Sequence, residues 1–146
     1  MKFLEESLVA LDIEVSQPEE AIREAGKLLL NLELIEQQYI EAMVASFQKN
    51  GPYFVLAPKI ALPHARPEDG VAEAAVSLIR LNEPVRFGHA SNDPVQLVFA
   101  LAASSSEEHL QVLQKLMQLL GDENNVSKLL SAKSYQEINQ LIGGNG

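Results

Sequence analysis

The chain is predicted to be an α/β protein, an α/β/α sandwich in which helices cover a small mixed β-sheet. Three observations carry that expectation. Amphipathic helical patterns stand near the start and at the end of the chain, four short apolar segments occupy its middle, and turn-forming Pro, Gly or Asp residues punctuate them. With 146 residues, 47% of them apolar and 21% charged, residues 1–146 are read as one globular domain. Aromatics are only 5%, so the core is expected to be Leu, Val, Ile and Ala, with few rings for stacking.

The elements follow in order. Met1 opens onto KFLEESLVALDIEV, which has acids every few residues and neither a basic n-region nor an apolar h-region, and is expected not to be a signal peptide. Ser16 and Glu19 have capping-box spacing, Pro18 suits a first helical turn, and Ala21, Ile22, Ala25, Leu28, Leu29 and Leu32 recur at helical spacing. A helix is predicted over about 17–31. QQYIEAMVASFQKNG carries Tyr39, Ile40, Met43, Val44 and Phe47 on one face and ends at Asn50-Gly51-Pro52, a helix stop.

FVLAP, KIALP, AAVSLIRL and VQLVFALAA are the predicted strands. A long helix follows in SSSEEHLQVLQKLMQLLGD, opened by Ser104/Glu107 or Ser105/Glu108 and closed by Gly121, with Leu110, Leu113, Met117 and Leu120 as its expected core stripe. ENNVSKLLSAK and SYQEINQLI are shorter amphipathic segments, and the GGNG tail is expected to fray.

Charge and composition narrow the function classes. The formal charge is −9, from 20 acidic and 11 basic residues, so the mean field repels nucleic acid and anionic membranes. With no cysteine there is no disulfide framework, thiolate metal site or cysteine nucleophile, in keeping with the cytoplasm. No run reaches the roughly 20 apolar residues of a spanning helix, so no direct membrane insertion is expected. The Walker loop, the Gly-x-Gly-x-x-Gly fingerprint and the Gly-x-Ser-x-Gly elbow are all absent.

Chemistry therefore rests on three histidines, His64, His89 and His109. His64 ends KIALP, where Pro63 fixes its own φ and lacks an N–H, so ladder pairing is expected to stop and leave a rigid platform. Arg66-Pro67 follows, which pushes Arg66 toward extended backbone and places a guanidinium near the ring. An idle surface histidine fits the same local pattern. His109 lies in the first turns of the long helix, where the positive helix end favours a neutral imidazole beside an anion; an ordinary boundary histidine fits there too. His89 sits in a connection before the Asn92-Asp93-Pro94 turn and ranks below the others. No histidine pair has i,i+4 spacing, so a zinc site is disfavoured, and Glu68-Asp69 reads as a solvated turn.

Through KIALPHARPEDGV, followed about 45 residues later by SSEEHLQVLQKL, the sequence resembles the mannitol/fructose-type EIIA components of the bacterial phosphoenolpyruvate:sugar phosphotransferase system (PTS). GPYFVLAP, PHARPEDGV and NDPV bring it nearest to the ascorbate-specific EIIA branch. The resemblance implies a cytoplasmic phosphocarrier. His64 would be the nucleophile, accepting a phosphoryl group on Nε2 from the carrier protein HPr and passing it to a cysteine of an EIIB partner, with a membrane EIIC permease downstream and no cofactor or metal.

His109 matches the second active-site histidine, which contacts the phosphoryl group without carrying it. The mannitol branch has an arginine where this chain has Ser46, and Arg66 is the residue hypothesised to replace its charge. Two other readings stay open: a regulatory, nitrogen-PTS-type EIIA domain phosphorylated at the same histidine, and a metal- or anion-binding module without covalent chemistry.

Overall fold

The computed structural model describes residues 1–143, so the expectation for the GGNG tail beyond Gly143 lies outside the described residues. A five-stranded mixed sheet forms the middle layer. Its strands are β1 (Lys2–Phe3), β2 (Val9–Ile13), β3 (Ile60–Ala61), β4 (Ala75–Val85) and β5 (Val95–Ala102). β1 and β2 both run parallel to β4, β4 is antiparallel to β5, and β3 is parallel to β5.

Helices α1 (Pro18–Asn31) and α2 (Gln37–Asn50) cover one face, and α3 (Ser106–Leu120), α4 (Glu123–Ser131) and α5 (Tyr135–Leu141) cover the other. In β5, Val95, Val98, Ala100 and Ala102 join the α1/α2 core while Leu97, Phe99 and Leu101 join the α3–α5 core. That alternation explains why the strand reads as one unbroken apolar run: both faces are buried.

Local chemistry places the helix ends. The Glu20 carboxylate, rather than Glu19, accepts from the Ser16 N–H and Oγ and from the Gln17 N–H at 3.0–3.1 Å, closing the start of α1. At α3, Ser105 Oγ accepts from the Glu108 N–H at 3.2 Å, and the Glu108 carboxylate accepts from the Ser104 N–H and hydroxyl. Gly51, at φ 76°, ends α2 in a conformation that favours glycine. Gly26 lets α1 approach α2, because a Cβ there would meet the Ile40 side chain at 2.8 Å.

Three expectations about whole elements are corrected, and a fourth concerns Pro63, which does not stop the pairing: its carbonyl accepts the Leu101 N–H at 3.0 Å. FVLAP is not a strand: Val55 N–H closes a turn onto the Pro52 carbonyl, and buried Phe54 and Val55 fill the core as part of that turn. Strands also begin the chain, where none was expected. β2 escaped notice because Asp12, at φ 56°, breaks its alternation and shifts its register against β4. Asp12 then pairs with buried Arg80 at 3.1 Å, and Arg80 also donates to the Leu129 carbonyl at 3.0 Å, which ties the sheet to α4.

Finally, α3 is rotated from its expected stripe. Val112, Leu116 and Leu119 face the core, whereas Leu110 and Met117 are 57% and 51% exposed. Leu113 and Leu120 lie at the boundary. Among the described residues, no helix is long and apolar enough to cross a membrane.

Candidate active site

His64 stands beyond the end of β3, and His109 in the first turns of α3, which follows β5. Because β3 and β5 are parallel, both histidines lie at the same edge of the sheet, outside the carboxyl ends of the two strands. Their ring centroids are 5.3 Å apart and the rings are tilted by 52°. Sequence separation gave no hint of that distance; parallel pairing creates it.

The His64 ring is held on one side. Its Nδ1 lies 2.9 Å from the Leu62 carbonyl oxygen, which only accepts, so Nδ1 carries a proton and in the neutral ring Nε2 holds the lone pair. Leu62 is itself fixed, donating its N–H to the Phe54 carbonyl at 2.9 Å. Tyr53 meets His64 edge to face at 6.2 Å between centroids, and its hydroxyl is 3.0 Å from Ser46 Oγ. The FVLAP turn thus builds a wall of the site.

Two cavities share His64 as a wall. One, of about 260 Å³, lies between Pro67 and the start of α3 and is also lined by Arg66, Ser105, Ser106 and His109. The other, of about 510 Å³, lies toward α2 and is lined by Ser46, Lys49, Asn50, Tyr53, Arg66 and Asp69. Arg66 borders both. Its backbone is extended, φ −91° and ψ 154°, and its N–H donates to Asp69 Oδ2 at 2.9 Å, so Asp69 caps the turn at Pro67–Asp69. Its guanidinium enters no ion pair among the described residues.

Electrostatics bear on His109. Burial, and then the proximity of His64, hold the His109 imidazole below the ordinary histidine range, so it is neutral at neutral pH. The first turn of α3 adds the Ser106 and Glu107 N–H groups, which no intrahelical carbonyl can reach. The site therefore offers one bare imidazole nitrogen, a neutral second imidazole, a guanidinium and helix-end donors around a small cavity. Such a set suits a phosphoryl group, whose charge is spread over its equatorial oxygens.

His89 is elsewhere, with Nδ1 accepting from the Ser91 and Asn92 N–H groups at 3.1 and 3.0 Å. Among the described residues, no three His, Asp or Glu side chains are grouped to hold a metal ion. Sequence reasoning missed Tyr53 and Lys49 as residues lining the site. Tyr53 stood just before the expected FVLAP strand, while the signal for Lys49 was its place about one turn after Ser46 on the exposed side of α2.

Comparisons with known proteins bear on the family and the fold. Residues 2–144 match the family model described as phosphoenolpyruvate-dependent sugar phosphotransferase system, EIIA 2. The ascorbate-specific PTS system EIIA component of Escherichia coli K12 is 34% identical over 139 residues, covering 94% of this chain and 90% of that protein. The solution structure of the mannitol-specific cryptic phosphotransferase enzyme IIA CmtB of Escherichia coli superposes with a TM-score of 0.86 at 33% identity, covering 97% of this chain and 95% of that one. A complex of enzyme IIA Mtl with phosphorylated enzyme IIB Mtl, also from Escherichia coli, matches with a TM-score of 0.85 at 32% identity, over 97% of this chain and 99% of that one.

Proposed function

The chain belongs to the EIIA 2 family of the sugar phosphotransferase system, whose members are phosphotransferase components, and from that premise we propose that His64 is its phosphoryl carrier. The observation that supports this most is the 2.9 Å contact between Nδ1 and the Leu62 carbonyl, which leaves Nε2 as the nucleophilic nitrogen. In the forward step the Nε2 lone pair attacks the phosphorus of phospho-HPr. The new N–P bond forms as the donor N–P bond breaks, and the donor imidazole departs. In the second step a thiolate of an EIIB cysteine attacks the same phosphorus, the S–P bond forms, and Nε2 recovers its lone pair.

Such a transfer asks for alignment and charge stabilisation rather than covalent work by the protein. Arg66 and His109 are assigned to the equatorial oxygens, assisted by the start of α3. Lys49 and Arg66 line the α2-side cavity and supply positive charge in the region where the mannitol branch has the arginine replaced here by Ser46. Phosphorylation would exchange a neighbour that repels a proton on His109 for one that attracts it, so His109 is expected to gain basicity in the phosphorylated state.

The partners dock transiently around this edge, where Tyr53 and Leu110 are exposed beside the two histidines. The whole chain acts as one cytoplasmic EIIA unit. The ascorbate-specific relative supports L-ascorbate as the sugar served through EIIB and an EIIC permease. The test is incubation with enzyme I, HPr and labelled phosphoenolpyruvate: wild type takes acid-labile label and hands it to the ascorbate EIIB, while His64→Ala takes none. Label persisting in His64→Ala, or absent from wild type, overturns the assignment; label that never reaches any EIIB favours a regulatory role instead.

A further inference from the structure

The segment carrying His64 leaves the sheet in an unusual way. Pro63 does not end the pairing, because its carbonyl accepts the Leu101 N–H at 3.0 Å and His64 is bridged to Leu101 in parallel register. The next rung of a parallel ladder would run from the Ala65 N–H to the Leu101 carbonyl. A hydroxyl occupies that rung. Tyr39 Oη accepts from the Ala65 N–H at 3.0 Å and donates to the Leu101 carbonyl at 2.6 Å. Tyr39 is 1% exposed and comes from α2, outside the sheet.

We infer that Tyr39 is a positioning residue for phosphoryl transfer: its hydroxyl, wedged into the rung after His64, holds the His64–Arg66 segment off β5 and sets where Nε2 sits relative to His109 and Arg66. The inference rests on the reading of His64 as the phosphoryl acceptor. A rung relayed through an oxygen is longer than a direct N–H to carbonyl bond, so the chain diverges from β5 at Ala65. That divergence opens the cavity between Pro67 and α3. The ring is then held twice, by the Leu62 carbonyl on Nδ1 and by the pinned backbone of the following residue.

Without the hydroxyl, the rung closes directly or leaves a buried N–H and carbonyl unpaired. Either outcome moves His64 and Arg66 together. The phenol is suited to this duty, since burial above all pushes its pKa up to about 12, and it keeps its donor proton at every pH where the protein works. Tyr39 presents nothing to a docking partner, so its loss acts on the rate of transfer and not on encounter.

Tyr39→Phe, which keeps the ring, tests this in single-turnover phosphorylation of the full chain by phospho-HPr. The rate constant at saturating donor is expected to fall roughly tenfold or more, with the half-saturating concentration within about twofold of wild type. Ile40→Val trims the adjacent buried residue of α2 and is expected to lower the melting temperature without lowering the rate. A wild-type rate in Tyr39→Phe, or rate losses in both variants that simply follow melting temperature, overturns the inference.

A second readout needs no activity. In the wild type, NMR should show a slowly exchanging Tyr39 hydroxyl proton with a nuclear Overhauser effect to the Ala65 amide, and Tyr39→Phe should shift the His64 ring nitrogens. If wild type takes no label, the phosphocarrier reading fails while this arm still decides the positioning role: unmoved His64 resonances or a missing hydroxyl contact would sink it.

Discussion

His64 and His89 invite comparison, because both are half-buried, both lie outside regular strands, and both connect to the β3–β5 region, yet their Nδ1 atoms meet opposite backbone groups. The Nδ1 of His64 faces the Leu62 carbonyl and must donate; that of His89 faces the Ser91 and Asn92 N–H groups and must accept. The first ring therefore exposes a bare Nε2, the second a protonated one. His89 folds a loop whose Asn92 carbonyl accepts the Lys59 N–H and whose Asn92 amide donates to the Val55 carbonyl. One histidine keeps a bare Nε2 through its backbone contact, while the other is used up in building the loop that steadies β3.

The largest effect that would break this contrast is on labelling. His64→Ala should lose all phosphoryl uptake, whereas His89→Ala should keep it within about twofold once folded; a carrier role for His89 would reverse the pair. Stability should show the opposite order. His89→Ala removes the acceptor of two loop N–H bonds, one exposed and one part-buried, and is expected to cost about 1–2 kcal/mol, read by urea denaturation, against under about 1 kcal/mol for His64→Ala. Nitrogen NMR sharpens the comparison: His64 should show the Nδ1–H tautomer and His89 the Nε2–H tautomer. Identical tautomers would remove its basis.

The smallest effect concerns His109. Its folded pKa is lowered, first by burial and then by His64, from an ordinary value of 6.5. As pH falls below that value the unfolded chain takes up the proton first, so stability declines between 6.5 and the lowered folded value and is unaffected above. The difference between wild-type and His109→Gln denaturation curves should show this decline only in that acidic window. A difference that grows above neutrality would contradict the assigned burial.

Features governed by near neighbours were legible in the sequence. The α3 start followed from two candidate boxes, Ser104/Glu107 and Ser105/Glu108, of which the second forms, the α2 stop from Asn50-Gly51-Pro52, and the turn after Arg66 from Glu68-Asp69 before Gly70. Features governed by distant partners were not. FVLAP has strand composition, but Phe54 packs edge to face on Phe47 of α2 and on Phe87 of the β4–β5 connection, and Val55 is buried in the same core. The face of α3 was misjudged because four evenly spaced apolar residues, Leu110 to Leu120, compete with Val112, Leu116 and Leu119, and only contact with the sheet selects between them. Tyr39 looked like one more core ring, since nothing local marks a hydroxyl that bonds residues 26 and 62 positions away.

By itself the sequence determined the chemical repertoire of this protein: no thiol, three imidazoles, one of them in the Pro-His-Ala-Arg stretch that carries the family resemblance, and capped helices and apolar strands enough for a sandwich. Those are matters of residue type and short-range geometry, which act within a few bonds of the chain. Tertiary structure alone decided which nitrogen of each imidazole is bare, how near His109 comes to His64, and that a tyrosine from α2 completes the rung beside the site. Each depends on a backbone carbonyl or N–H brought by another segment, and such groups are the same in every residue, so only the fold gives them an address.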